Sequence, residues 1–148
     1  MAMRALFDVN FLIALFDPDH EFHEAAHHWW QLHQQKGWAS CPMTENGLIR
    51  VLSSPGYSKK TRFSCSQVLQ DLNFFVSGTN HEFWPDDVSL RDAAHLLPIH
   101  VQGPKQLTDL YLLALAVSKE GRLVTFDEHL PLHAVPNAKA EHCIVVPK

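Results

Sequence analysis

The chain reads as an α/β domain with a mainly parallel central sheet sandwiched by helices. Two observations predict this. Short apolar runs end abruptly at acidic or turn residues, and stretches with helical spacing separate those runs. Size adds a third: 148 residues suffice for one core, and no repeat, low-complexity tract or long linker divides them. Residues 1–148 are therefore taken as a single domain.

Arg4-Ala5-Leu6-Phe7 is a buried strand that stops at Asp8. Phe11, Leu12, Leu15 and Phe16 follow at helical spacing until Asp17-Pro18-Asp19 interrupts them. Residues 21–36 form a second helix with a core stripe of Phe22, Ala26 and Trp29, flanked by Ala25 and Leu32. Trp38-Ala39-Ser40-Cys41 is a second strand, ended by Pro42. Thr44 is placed to cap a helix running through Leu48, Val51 and Leu52 to Pro55-Gly56. A polar loop from Tyr57 to Arg62 leads to a helix built on Val68, Leu69, Leu72 and Phe75. Phe83-Trp84 suggests a brief strand, and residues 87–97 a further helix. After the Gly103-Pro104 loop, Thr108 is placed to cap a strongly apolar helix that runs to about Lys119 and is closed by Gly121. Leu123-Val124-Thr125-Phe126 is a strand stopping at Asp127, and Cys143-Ile144-Val145-Val146 is the last.

Composition narrows the function classes. Hydrophobic residues make up 46% of the chain, which excludes disorder and leaves apolar surface for a partner. No apolar run approaches the roughly 18 residues of a membrane span, and the start lacks a signal-peptide pattern, so a cytoplasmic protein is expected. Cys41, Cys65 and Cys143 are odd in number and widely spaced, which reads as buried reduced thiols rather than a disulfide framework. The formal net charge of −4 argues against a general nucleic-acid binder, so any RNA must be held locally or through bound metal.

Four acids stand in matching contexts. Asp8 and Asp127 each follow an apolar strand, where a side chain emerges at the sheet's carboxyl edge. Ligands of open α/β sheets bind at that edge. Glu45 and Asp109 each follow a threonine at a helix start, in Thr44-Glu45 and Thr108-Asp109, where the positive end of the helix dipole favours an ionised carboxylate. Asp109 opens a helix that is apolar almost all round, with no Lys or Arg within one turn, so its charge needs a partner from elsewhere. A hard cation shared by several carboxylates would supply one. Singly, each acid is more often a cap or a turn residue; the joint pattern points to a site.

These segments resemble a known family. Phe7-Asp8-Val9-Asn10 before an apolar helix, Thr44-Glu45-Asn46-Gly47, Leu107-Thr108-Asp109 before an Ala/Leu helix, and Thr125-Phe126-Asp127 look like the four signature segments of PIN domains. Order, spacing and length are similar in particular to VapC-type toxins of bacterial toxin–antitoxin pairs. The resemblance implies a metal-dependent ribonuclease using Mg2+ or Mn2+, with Asp8, Glu45, Asp109 and Asp127 as metal-binding and catalytic acids. It implies Asn10 and Thr108 as supporting residues, an antitoxin partner, a homodimer, and RNA, such as tRNA, as substrate. One departure follows Asp127, where many relatives continue with a basic residue, Asp and Phe; here the chain reads Glu128-His129-Leu130.

The chemistry fits these residue types. Phosphodiester hydrolysis needs an activated water and stabilised phosphoryl oxygens, and one or two divalent ions on carboxylates supply both. On this reading Asp8 and Asp109 carry the first metal position, Glu45 and Asp127 complete it or form a second, and Asn10 orients a water or a carboxylate.

Other signals compete. His23-Glu24-Ala25-Ala26-His27 is a formal H-E-x-x-H, the pattern of a zinc metallohydrolase, yet the apolar stripe of its helix turns both histidines toward the flank and no third ligand stands out. Lys59-Lys60-Thr61-Arg62 between Tyr57 and Phe63 offers cations beside rings that could stack on bases, although a solvated loop is the plain reading. Arg50 and Lys105 are further candidate phosphate contacts. The chain has no G-x-S-x-G, Walker loop or G-x-G-x-x-G. A non-catalytic metal-binding or interaction module, its acids serving only as caps, is the remaining alternative.

Overall fold

The computed structural model describes residues 3–60 and 62–148. Strands β1 (Ala5–Phe7), β2 (Trp38–Ser40), β3 (His81–Phe83), β4 (Arg122–Thr125) and β5 (Cys143–Val145) form one sheet in the order β3-β2-β1-β4-β5, every pair parallel. Strand order therefore reverses between β1 and β4, which places a crevice beyond their carboxyl ends.

Helices cover both faces. On one side lie α1 (Val9–Phe16), α2 (His23–His33), α3 (Pro42–Leu52) and α4 (Cys65–Gly78), packed on Phe7, Trp38 and Val124. Phe7 is central there, stacking on Phe11 and Trp38 and meeting Trp29 and Trp30 edge-on. On the other side α5 (Leu107–Ser118) covers Leu6, Ala39 and Leu123. Every residue of α5 from Leu110 to Ala116 is buried, because Trp84, Val88, Leu96, Leu130 and Ala134 close over its outer face. An apolar circumference is thus accounted for by a helix trapped between the sheet and the long connections.

Several expected features are corrected. Residues 87–97 form turns rather than a helix, while Val88 and Leu96 still insert into the core. The strand expected at Phe83-Trp84 begins at His81, and Trp84 lies just past it with its N–H on the Ser40 carbonyl. In α2 the buried residues are Ala26, Trp29 and Trp30, whereas Leu32 is exposed.

Neither threonine is the N-cap residue, although Thr44 completes a capping box with Cys41. Helix α3 starts at Pro42, a position that suits a residue lacking an N–H. Thr44 sits one turn inside, and its buried hydroxyl accepts the Cys41 N–H at 3.0 Å. Helix α5 grows from a 3-10 turn at Pro104–Gln106, so Thr108 lies exposed in the first turn without capping it.

The end of α5 differs as well. Glu120 adopts the left-handed conformation (φ 58°), and the Gly121 N–H reaches back to the Ala116 carbonyl at 2.8 Å. Glycine is needed at 121 for space: a Cβ there would lie 2.6 Å from the Trp84 ring and 2.8 Å from the Arg4 carbonyl oxygen. Of the three free cysteines only Cys41 is buried; Cys65 is exposed and Cys143 half-buried. No helix among the described residues is long and apolar enough to cross a membrane.

Candidate active site

The site grows from strand register. Parallel pairing sets Phe7 opposite Val124, and the Asp8 N–H continues the ladder to the Val124 carbonyl. The next residues, Asp8 and Thr125, therefore meet at the carboxyl edge. The Thr125 hydroxyl donates to Asp8 Oδ2 at 2.5 Å and accepts the Asp127 N–H at 3.0 Å, joining the two strand-end acids. Asp8 Oδ1 accepts the Phe11 N–H at 2.7 Å, so Asp8 is also the N-cap of α1.

Burial makes this carboxyl unusual. Asp8 is only 2% exposed, and desolvation, then the nearby charge of Asp109 and more weakly that of Asp127, pushes its pKa up to about 7. The bonds from Thr125 and Phe11 oppose that rise without cancelling it. Asp109, half-buried in the first turn of α5, is pushed up to about 6 by burial and by Asp127. The Asp127 Oδ1 accepts the His129 N–H at 2.8 Å, which holds the turn after β4. Three aspartates from β1, α5 and β4 thus oppose one another's charge, and among the described residues none is in an ion pair with Lys, Arg or His.

Glu45 stands apart from this trio. Its Oε2 accepts the Ser40 hydroxyl at 2.5 Å, and Ser40 Oγ in turn lies 2.8 Å from His81 Nε2. Burial, the largest cause, lowers the His81 pKa, while the Glu45 charge opposes the fall.

Two clefts meet at Asp109. The larger, about 590 Å3, is lined by Asn10, Asn46, Arg50, Asp86, Lys105 and Asp109, among others. Gly47 forms part of its wall, where a Cβ would lie 2.6 Å from Val9. The second, about 350 Å3, is bounded by Asn10, His20, Phe22, Asp109, Asp127 and Lys148. Asn10 and Asp109 belong to both and so mark the junction. Arg50 and Lys105, expected from sequence as phosphate contacts, both line the larger cleft, as does Thr108. Lys59, Lys60 and Arg62 are exposed on their loop and line neither cleft; Thr61 lies outside the described residues.

Among the described residues no three His, Cys, Asp or Glu side chains are already gathered as a metal cluster, at the aspartates or at the His23/His27 pair. Donor chemistry nevertheless separates the two places. Asp8, Asp109 and Asp127 offer only carboxylate oxygens whose repulsion a hard divalent ion would relieve, which fits Mg2+ or Mn2+. His23 Nδ1 is taken up by the Ala14 carbonyl at 2.8 Å, and His27 is exposed on the flank of α2.

Sequence reasoning passed over Thr125, Ser40 and His81. Thr125 was visible as a hydroxyl two residues before Asp127, and Ser40 as one at the end of a strand, but only the register shows which acid each one holds.

A model of the PIN domain matches residues 5–136. The chain belongs to the PIN-domain family. Ribonuclease VapC44 of Mycobacterium tuberculosis is 45% identical over 140 residues, covering 95% of this chain and 97% of that protein. Ribonuclease VapC39 of the same species is 40% identical over 135 residues, covering 86% and 91%. The crystal structure of VapBC2 from Rickettsia felis bound to a DNA fragment from their promoter superposes with a TM-score of 0.60 over 99% of each chain; at 15% identity this supports the fold alone. In this PIN domain the departure after Asp127 has a structural outcome: Leu130 is buried in the α5-side core, while His129 is exposed and spans the turn through its N–H.

Proposed function

We propose that this PIN domain is a ribonuclease of the VapC kind, the toxin of a toxin–antitoxin pair, hydrolysing RNA with divalent metal held by its aspartates. The observation that carries this reading is the junction of two clefts at Asp109, beside the buried Asp8 whose pKa is raised to about 7 and the half-buried Asp109 raised to about 6. Ionising such carboxyls together is costly unless a cation shares them. The identity to proteins named ribonucleases supports the same conclusion.

Asp8, Asp109 and Asp127 would hold Mg2+ or Mn2+, which when bound lowers the pKa of a coordinated water and shields the phosphoryl oxygens. Thr125 holds Asp8 by its hydroxyl and Asp127 by its backbone. Asn10, at the junction, is placed to orient a water or a phosphate oxygen, and Arg50 and Lys105 attract the backbone along the larger cleft. Glu45, tied to Ser40, completes the acid set from the β2 side.

An antitoxin is the proposed protein partner. An apolar groove of about 340 Å3 between α1, α2 and α4, lined by Leu15, Phe16, Trp30, Phe74 and Phe75, suits an amphipathic helix. Phe74, 82% exposed, is an unusual surface residue without a partner to cover it. A homodimer, RNA such as tRNA as substrate and a cytoplasmic location complete the reading.

The test is cleavage of a mixed RNA pool by antitoxin-free protein with Mg2+, with EDTA, and by Asp109→Asn. Cleavage that needs metal and disappears in the variant is expected. Cleavage that survives either change would overturn the assignment.

A further inference from the structure

The two clefts differ in lining: of the two, only the smaller has aromatic rings in its wall. The larger sets Arg50 and Lys105 against Asp86 and Asp109, so it tolerates phosphates. The smaller sets Lys148 against Glu21, Asp109 and Asp127, with His20 and the Phe22 ring beside them. With Asp109 and Asp127 given to metal, Glu21 and Lys148 balance one another there, and an aromatic ring with polar neighbours suits an uncharged base.

The segment bearing these residues is held in place from beneath. Asp17, 4% exposed, accepts the Tyr57 hydroxyl through Oδ2 at 2.5 Å and the Asp19 N–H through Oδ1 at 3.0 Å. The His20 N–H returns to the Asp17 carbonyl, and the His23 N–H to the His20 carbonyl. His20 Nδ1 accepts the Phe22 N–H at 3.0 Å, so the neutral ring carries its proton on Nε2, a donor. Glu21 is exposed, has no ion-pair partner among the described residues, and supplies an acceptor. Phe22 is braced by Phe126 at 5.4 Å between ring centroids, and the Lys148 ammonium lies over its ring, 5.4 Å from the centroid, on a flexible side chain that a stacking base would displace.

We propose that segment 20–22 is the specificity element of this enzyme: Phe22 stacks on one unpaired nucleobase beside the cleaved phosphodiester, and Glu21 and His20 read its edge. A preformed donor, acceptor and ring lie within the cleft that meets the aspartates at Asp109 and Asn10. A base can offer its pairing edge there only when unpaired, which makes the substrate class single-stranded RNA at that nucleotide. This rests on the ribonuclease reading.

The test uses single-stranded RNA oligonucleotides identical except for the nucleotides flanking the cut, plus a hairpin in which those nucleotides are paired. Wild type, Glu21→Gln, Phe22→Leu, Phe22→Tyr, Asp109→Asn and Lys36→Ala (a charge control at the opposite, amino edge of the sheet) are compared, with melting curves confirming that each folds. Wild type should prefer one base by about tenfold, and Glu21→Gln should reduce that preference to about threefold or less. Phe22→Leu should raise KM about tenfold, with Phe22→Tyr restoring most of it. The hairpin should be cut at least about tenfold more slowly. Wild-type indifference to the flanking base, an unaltered preference in folded Glu21→Gln, or Phe22→Tyr behaving like Phe22→Leu would overturn the proposal. Loss of cleavage in Asp109→Asn would then leave the ribonuclease reading standing; a wild type that cuts no RNA would remove both.

Discussion

The starts of α3 and α5 look alike in sequence, each a threonine followed by an acid, yet they are opposites in the structure. At α5, Thr108 is exposed and bonds nothing at the helix end, while Asp109 carries a pKa raised to about 6 by burial and by Asp127. At α3, Thr44 is fully buried and bonded to Cys41, while Glu45 is satisfied by Ser40. A dipeptide at a helix start thus does not decide whether its hydroxyl or its carboxylate matters. Surroundings decide: α5 points its first turn at two other aspartates, and α3 points its own at a serine and a histidine on β2 and β3.

The largest effect expected from this contrast is on cleavage. Asp109→Asn should lower kcat/KM by more than about a hundredfold, because even groups that merely support metal ligands are worth roughly 10–100-fold. A residual rate within tenfold of wild type would remove Asp109 from the centre of the site.

Ser40→Ala addresses the other side. Freed from its hydroxyl donor, Glu45 should lose its fixed orientation, lowering kcat/KM about tenfold and raising the Mg2+ concentration needed for half-maximal rate. An unchanged Mg2+ dependence would show that Glu45 needs no such support.

Stability should fall with rising pH through the aspartate side, while the lowered pKa of His81 on the other side works the opposite way. The Asp8 and Asp109 pKa values lie near 7 and 6 in the folded protein against 3.8 as the ordinary value. The folded state therefore binds more protons between about pH 4 and 7. Its stability from these groups is fully present below pH 4 and is lost as pH rises through 6 and 7, by up to about 1.4 kcal/mol per pH unit for Asp8. Thermal melts in EDTA should show Tm falling from pH 5 to 8. Mg2+ should restore it at pH 8 and do little at pH 5, and Asp8→Asn should flatten the fall. A Tm in EDTA that rises over this range would contradict the arrangement.

The smallest effects concern the threonines. Thr44→Ala should cost about 1–3 kcal/mol, since it strips a partner from a buried backbone N–H. Thr108→Ala should stay within about 0.5 kcal/mol. Equal losses in urea unfolding would mean that both helix starts are capped alike.

Much of this was legible in the residues. Alternating apolar runs and helical stretches predict a covered parallel sheet, and strand-end acids predict its working edge, because burial of short apolar strands and emergence of side chains at their carboxyl ends follow from local pattern. Asp109 was legible for the same reason, as a charge in an otherwise apolar helix. Segment 87–97 was misread because its apolar residues, Val88 and Leu96, serve the outer face of α5 rather than a helix of their own. Thr125 was overlooked because its partner, Asp8, is 117 residues away.

By itself, then, the sequence determined the fold class and nominated four acids, Asp8, Glu45, Asp109 and Asp127, at one edge of the sheet, since both depend on local periodicity and on the cost of burying charge. Only the tertiary structure decided that Thr125 joins Asp8 to Asp127, that Glu45 answers to Ser40 and His81, and that two clefts of unlike lining meet at Asp109. Those depend on strand register and on which distant segments share an edge, and neither leaves a mark on any short stretch of the chain.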